Sequence, residues 1–546
     1  MSKKSKSSAP SDPNRRRLLG GLAAMGAGLA LPASSTAKPI ASKPIAALNK
    51  PLKEKIKNVV VIYLENRSFN NLFGNFPGVA QPLASANPEP QLDRDGSVLS
   101  SLPKIWGGMV QRGQTVAGKR YFIEEAQISG LPNAPFALKD TEGKPLPEAV
   151  ITRDLAHLFY HNQQQINGGK NNQFVAWGNS GALVMGHYSE TAKNLNLWQI
   201  ARKYTLCDNF FMAAFGGSYL NHQFLISGRT PEYFDAANGP AKEKIAVLSD
   251  GPQGYQLATS AKSPASALDG PAKYINSGAI TPDGYAVNTM APPYQPSYIP
   301  PAPGGDPQLA DPADPSTLPP QSYRTIGDLL SDKKVSWAWY GGAWQATLDG
   351  KGGADAPNFQ YHHQPFNYFK QFAPGTAARA EHLRDAGLGE SPYSNHFIAA
   401  AVTGTLPQVA FYKPQGNLNM HAGYSDVESG DQHVANVLQH LMSGPQWKNM
   451  VVVITFDENG GWWDHVAPPK GDRWGPGSRI PAIVVSPFAK KGHVDHTLYD
   501  TTSIIRFISQ LHDLPELEGI QLRNQAFKER GATPPGDLMA ALDPSA

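Results

Sequence analysis

Asn58-Val-Val-Val-Ile-Tyr-Leu64-Glu65-Asn66 and Met450-Val-Val-Val-Ile-Thr-Phe456-Asp457-Glu458-Asn459 share one pattern. Each is a β-branched run too short for a helix, ending at once in a carboxylate and a second oxygen-bearing side chain. Unbroken apolar runs of this length belong to strands buried on both faces, as in parallel sheets. A third run, Ile480-Pro-Ala-Ile-Val-Val-Ser486, follows soon after. Helical patterns lie at Asn194 to Tyr204, Thr325 to Leu330, Gln432 to Met442 and Thr501 to Leu511. Strands alternating with helices predict an α/β fold: a central, mostly parallel sheet with helices on both faces. Ligands of such sheets bind beyond the carboxyl ends of the strands, so Glu65, Asn66, Asp457 and Glu458 are expected to meet. Carboxylates with an amide oxygen make a hard cage for a divalent cation. Either pair alone would equally serve to cap a turn. The repetition of the pattern is what points to a metal.

The rest of the chain bounds this core. With 546 residues, 40% apolar and 17% charged, it is long enough for one or two large domains. A formal net charge of +3 leaves no basic stripe for nucleic acid. Cys207 is the single cysteine, which excludes an intramolecular disulfide. Asn14-Arg15-Arg16-Arg17-Leu18-Leu19, then a short Gly/Ala-rich apolar stretch and Ser35-Thr36-Ala37, read as a twin-arginine export signal over residues 1–37. The expected partner during export is the twin-arginine translocase and the destination periplasmic or secreted, with no stable membrane span in the mature chain. A linker over 38–56, a catalytic domain over 57–512 and a C-terminal tail over 513–546 complete the expected organisation. Within the domain, residues 230–320 turn rich in Pro, Ala and Gly and read as an insertion on the rim of the sheet, placed to cap a site.

Gly216-Gly217-Ser218-Tyr-Leu-Asn221-His222 supplies a candidate nucleophile. Two glycines permit close backbone approach, and a serine opening a helix sits among free N–H groups that hold phosphate. Leu220 stands where the α/β-hydrolase elbow requires glycine, so that chemistry is excluded; a plain N-cap serine is the alternative. His157, the adjacent pair His362 and His363, His421 and His465 lie in loop-like contexts. Each alone suits a structural role, and together they suit phosphate binding or proton transfer.

Glu65-Asn66-Arg67-Ser68-Phe69, Gly216-Gly217-Ser218 with Asn221, His362-His363, His421-Ala-Gly-Tyr-Ser-Asp426 and Asp457-Glu458-Asn459-Gly460-Gly461 with Asp464-His465 occur in that order. The set resembles the bacterial phosphoesterase family of phospholipases C and acid phosphatases, of the alkaline-phosphatase superfamily. The resemblance implies an alkaline-phosphatase-like sheet. It also implies one divalent ion (Mg²⁺, Ca²⁺, Mn²⁺ or Zn²⁺) on Glu65, Asn66, Ser218, Asp457 and Glu458. Ser218 would be the nucleophile; His157, Asn221, His363 and His421 would surround the phosphate, with His362 behind or beside them. Ser218 replaces the threonine of a Gly-Pro-Thr context usual in phospholipases C, and no extra C-terminal β-domains follow, which points to the acid-phosphatase branch. The expectation is therefore an exported metal-dependent acid phosphatase acting on phosphate monoesters through a phosphoserine. A phospholipase C acting on phosphatidylcholine-type lipids or other diesters is the alternative, and a non-catalytic binding protein the remaining class. Protonated histidines are expected to provide the positive charge that a second metal provides in alkaline phosphatases.

Overall fold

The computed structural model describes residues 50–251, 254–351 and 359–545; the export segment 1–37 and the linker up to residue 49 lie outside the described residues. Eight strands form the central sheet: β1 (Asn58–Leu64), β2 (Thr205–Cys207), β3 (Trp337–Gly342), β4 (Leu383–Gly387), β5 (Val409–Lys413), β6 (Met450–Phe456), β7 (Ala482–Val485) and β8 (His493–Asp495). Their order is β4-β3-β5-β1-β6-β7-β2-β8. β1 lies between β5 and β6, parallel to both. Every residue of β1 and β6 is buried, which is why the sequence shows no alternation there.

The ladder between β1 and β6 runs without a break from Asn58↔Met450 to Leu64↔Phe456. Glu65 and Asp457 therefore leave the sheet at the same level. On the other side Ile62 faces Tyr412, so Lys413 at the end of β5 emerges nearby.

β7 runs antiparallel to both β6 and β2, in a sheet whose other pairings are parallel, in keeping with the mostly parallel sheet expected. The residues between β6 and β7 contain no crossover helix, and without one the chain returns antiparallel. Helices α1 (Phe69–Phe73), α2 (Ser218–Ser227), α3 (Val427–Ser443), α4 (Thr502–His512) and α5 (Glu518–Glu529) follow strands or their loops. Two packed groups cover the sheet: α3 contacts the helices Asn196–Lys203 and His396–Thr403, while α2 contacts α4 and Ile326–Asp332. Among the described residues no helix is long and apolar enough to cross a membrane.

Two segments are more ordered than their composition suggests. The Pro-rich region carries a hairpin, Leu248–Gly251 with Gly254–Leu257, and is tied to the body where Asn288 Oδ1 accepts from Phe159 N at 2.8 Å. Residues 513–546, expected as a tail, contain α5 and the buried Leu538, Ala541 and Leu542. The reason is Arg523. Its fully buried guanidinium donates to Asp500 Oδ2 at 2.9 Å, Asp472 Oδ2 at 2.8 Å and Ala213 O at 2.6 Å. Removing one partner of such a network leaves buried charge unpaired, so Arg523→Ala should destabilise the protein by about 3–5 kcal/mol in urea unfolding. A loss below about 1 kcal/mol would show that this network does not hold the C-terminal segment.

Candidate active site

Three adjacent strand ends and one helix start build the site. Glu65 and Asn66 follow β1, Lys413 ends β5, Asp457 and Glu458 follow β6, and Ser218 opens α2. Ser218 Oγ lies 3.0 Å from Glu65 Oε2, 3.2 Å from Asn66 Oδ1 and 3.4 Å from Glu458 Oε1. A hydroxyl has one proton, so it satisfies one of these three acceptors and leaves oxygen facing oxygen at the others. Asp457 braces the group from behind, its Oδ1 accepting from Asn66 N at 3.1 Å and Glu458 N at 2.8 Å. Asp457 Oδ2 is buried without a hydrogen-bond partner.

The local backbone explains how these side chains converge. Asn66 adopts φ +59°, a left-handed conformation that asparagine tolerates better than most residues. The bonds to Asp457 hold it there. Gly460, at φ +61°, must be glycine because a Cβ would stand 2.5 Å from Asn66 O. Gly216, at φ +91°, lets the turn before Ser218 press on the 157–159 segment, where a Cβ would meet Phe159 N at 2.5 Å. Arg67 donates through Nε and Nη2 to Met420 O at 3.0 and 2.7 Å, fixing the loop that carries His421.

The electrostatics suit a cation. Glu65, Asp457 and Glu458 are fully buried. Three carboxylates against the single ammonium of Lys413 leave two negative charges when all are ionised. Burial would raise the Glu65 carboxyl, but Lys413 and then His363 hold it well below the usual range. Burial and then repulsion by Glu65 push Asp457 well up, while burial raises Glu458 against the Gly460 N–H that opposes it. Like charges packed this way, around a hydroxyl with too few protons, fit one divalent ion shared by Glu65, Asn66, Asp457 and Glu458, with Ser218 beside it.

The histidines divide into two groups. His157, His362 and His421 line a cavity of about 290 Å³ with Gly217, Ser218 and Tyr424, and Val287, Asn288 and Thr289 of the insertion form part of its wall. His157 Nδ1 meets Leu155 O and His421 Nδ1 meets Ala422 O, both at 2.5 Å, which leaves Nε2 of His421 free. His157 Nε2 accepts from Asn66 Nδ2 at 3.4 Å, turning the Asn66 oxygen toward Ser218. His363 is placed differently from the expectation. It is buried behind the cavity, with Nε2 2.9 Å from Glu65 Oε1, and His362 takes the cavity wall instead. Asn221, also expected at the phosphate, is directed at the turn before Ser218: it accepts from Ala214 N at 2.9 Å and donates to Ala214 O and Gly217 O at 3.1 and 3.2 Å.

Burial lowers the imidazoles, His363 to about 4 and His421 and His362 also downward. Lys413, His222 and Tyr424 were not legible as site residues. Lys413 had the same signal as Glu65, an apolar run ending in a charge, in Val409-Ala-Phe-Tyr-Lys413. His222 sits one helical turn after Ser218, donating Nδ1–H to Ser218 O at 2.7 Å. Tyr424 stacks on His421 with centroids 4.2 Å apart.

Comparison with known proteins gives a consistent answer. A model of the Phosphoesterase family matches residues 56–515. Phospholipase C B of Mycobacterium tuberculosis is 24% identical over 499 residues, 84% of this chain and 74% of that protein. Non-hemolytic phospholipase C of Pseudomonas aeruginosa is 32% identical over 138 residues, 19% of this chain and 20% of its own. Among solved structures, an alkaline phosphatase superfamily protein from Vibrio parahaemolyticus is 9% identical. It covers 69% of this chain and 72% of its own with a TM-score of 0.31, too slight a likeness to carry an argument.

The Asn66 turn yields a test away from the reacting atoms. Gly460→Ala forces a Cβ against Asn66 O and should displace Asn66 without emptying the core. Turnover is expected to fall about 100-fold, the order associated with an ångström-scale misplacement, with the far-ultraviolet dichroism spectrum unchanged. Wild-type turnover in a folded Gly460→Ala variant would mean the turn geometry does not matter.

Proposed function

The chain belongs to the Phosphoesterase family and is a phosphoric ester hydrolase, and we propose that it cleaves small phosphate monoesters through a covalent phosphoserine at Ser218 beside one divalent cation. The observation that carries this reading is the placement of Ser218 Oγ 3.0, 3.2 and 3.4 Å from the Glu65, Asn66 and Glu458 oxygens, at a helix start facing the cavity. A cation bound by Glu65, Asn66, Asp457 and Glu458 would lower the pKa of the serine hydroxyl and offset charge on the phosphoryl group.

The chain's own groups do the rest. The N–H groups of Ser218, Tyr219 and Leu220 precede the first intrahelical bond, that of Asn221 N to Gly217 O, and are free to bind phosphate oxygens. Ser218 Oγ attacks phosphorus as its proton passes to a carboxylate it faces, Glu65 or Glu458, the P–O bond to the alcohol breaks, and the proton for the departing oxygen comes from His421 through its free Nε2. Water then attacks the phosphoserine, the same histidine taking its proton, and the P–Oγ bond breaks as Ser218 regains its own proton from the carboxylate. Val287 to Thr289 of the insertion line the cavity, whose volume of about 290 Å³ suits a small ester.

Phospholipid hydrolysis is the second reading, favoured by the names of the relatives. A panel of p-nitrophenyl phosphate, bis-p-nitrophenyl phosphate and phosphatidylcholine separates the two. Monoester turnover at least tenfold above the others supports the first reading, and the reverse order the second. Export to the periplasm or beyond rests on the Arg15-Arg16-Arg17 pattern, and lysine at all three positions should retain the protein in the cytoplasm.

Ser218→Ala should fold yet lose more than about 10³-fold in turnover, and wild type should yield a trapped phosphoserine. Near-normal activity in the variant excludes Ser218 as nucleophile.

The pH profile supplies a second test. Burial holds His421 below its usual value, and a bound phosphate dianion opposes that by favouring the charged imidazole. The proton is present below the pKa of the complex and is lost as pH rises through it. The kcat profile is therefore expected to peak on the acidic side of neutrality, with a basic limb that changes in His421→Asn. An optimum at pH 8 or above contradicts a histidine acid.

A further inference from the structure

The reaction as described leaves Lys413 without a task. A strand that ends in lysine ordinarily delivers the ammonium to solvent, yet Lys413 is fully buried. Its Nζ pairs closely with Glu65 Oε1 and lies 5.3 Å from the centre of the Tyr63 ring. His363 Nε2 approaches the same carboxylate oxygen at 2.9 Å. The two oxygens of Glu65 are thus divided: Oε1 meets Lys413 and His363, and Oε2 meets Ser218 at 3.0 Å.

The surroundings of Oε1 would otherwise suit a metal. Ligand atoms of Glu65, His362 and His363 lie within 4.8 Å of one another, and the ammonium stands against the oxygen they share. We propose that Lys413 is a built-in cation of the site: it occupies one oxygen of Glu65, keeps the other turned to Ser218, and sets the remaining charge at the two units one divalent ion neutralises. Lys413 is a positioning residue, acting through Glu65. The proposal rests on the metal reading above and adds a consequence for affinity. Without the ammonium, Oε1 keeps only the neutral His363 as neighbour and can turn toward the ion in a more negative cavity. The ion is then held more tightly while the arrangement around Ser218 is lost.

The test uses full-length wild type, Lys413→Met and Lys413→Arg, stripped of metal and titrated with Mn²⁺ by calorimetry. Folding is checked by circular dichroism, and kcat is measured on p-nitrophenyl phosphate. Lys413→Met should bind Mn²⁺ at least tenfold more tightly and lose at least 100-fold in kcat. Lys413→Arg, which keeps the charge, should bind within threefold of wild type. A residue that merely supported the fold would weaken affinity and turnover together, and unchanged or weaker Mn²⁺ binding by Lys413→Met overturns the proposal. Should the methionine variant not fold, Lys413→Gln, similar in length and uncharged, carries the same comparison. A wild type that binds no Mn²⁺ sinks the metal reading itself, an outcome distinct from failure of the Lys413 comparison.

Discussion

The parallel ladder that locks β1 between β5 and β6 is the constraint on which the site depends. An unbroken register from Asn58↔Met450 to Leu64↔Phe456 fixes where Glu65 and Asp457 leave the sheet, and the pairing of Ile62 with Tyr412 does the same for Lys413. A slip of one residue would turn each of these side chains to the opposite face. The strands resist such a slip because both their faces are buried. The hydrophobic core therefore acts on the chemistry directly, by holding three charged groups from distant parts of the chain at one level.

That arrangement opposes stability. Buried carboxylates repel one another, and burial itself raises Asp457 and Glu458. Several interactions hold the surrounding loops against this tendency. Asp464 accepts from Asn70 N at 2.9 Å and from Arg479 Nε at 3.2 Å, fixing the start of α1 close behind Glu65 and Asn66. Arg67 braces the loop of His421, and Arg523 reaches Ala213 ahead of the turn that leads to Ser218. The preorganised site is thus supported from three directions by buried arginines.

How much of this was legible in the sequence depends on the range of the signal. The β1 and β6 runs, the paired strand-end acids and the glycines before Ser218 are local patterns, and each marks a feature of the site. Strands β2 and β8 were not legible because three residues are too few to show a period. β3 was obscured by its aromatic and glycine content, Trp337-Ala-Trp-Tyr-Gly-Gly342. The direction of β7 depends on how the chain returns after Asp457, which no local pattern encodes. Among the histidines, the adjacent pair was visible, but which of the two faces the cavity is set by the 3₁₀ turn Tyr361–His363, whose geometry turns His363 toward Glu65. Lys413 was missed because its strand was not identified, and the meaning of a terminal lysine depends on its neighbours in the sheet. Asn221 was assigned from resemblance, and its hydrogen bonds run to the turn four to seven residues before it, which no sequence pattern announces.

The central claim is that these strand ends hold one cation against Ser218. Anomalous diffraction from crystals grown with Mn²⁺ tests it most directly. The account predicts a single strong peak within coordination distance of Ser218 Oγ, Glu65 Oε2 and the Asp457 and Glu458 carboxylates. A site free of anomalous signal at saturating Mn²⁺, or a peak bound elsewhere while Ser218 remains without a metal, would contradict it.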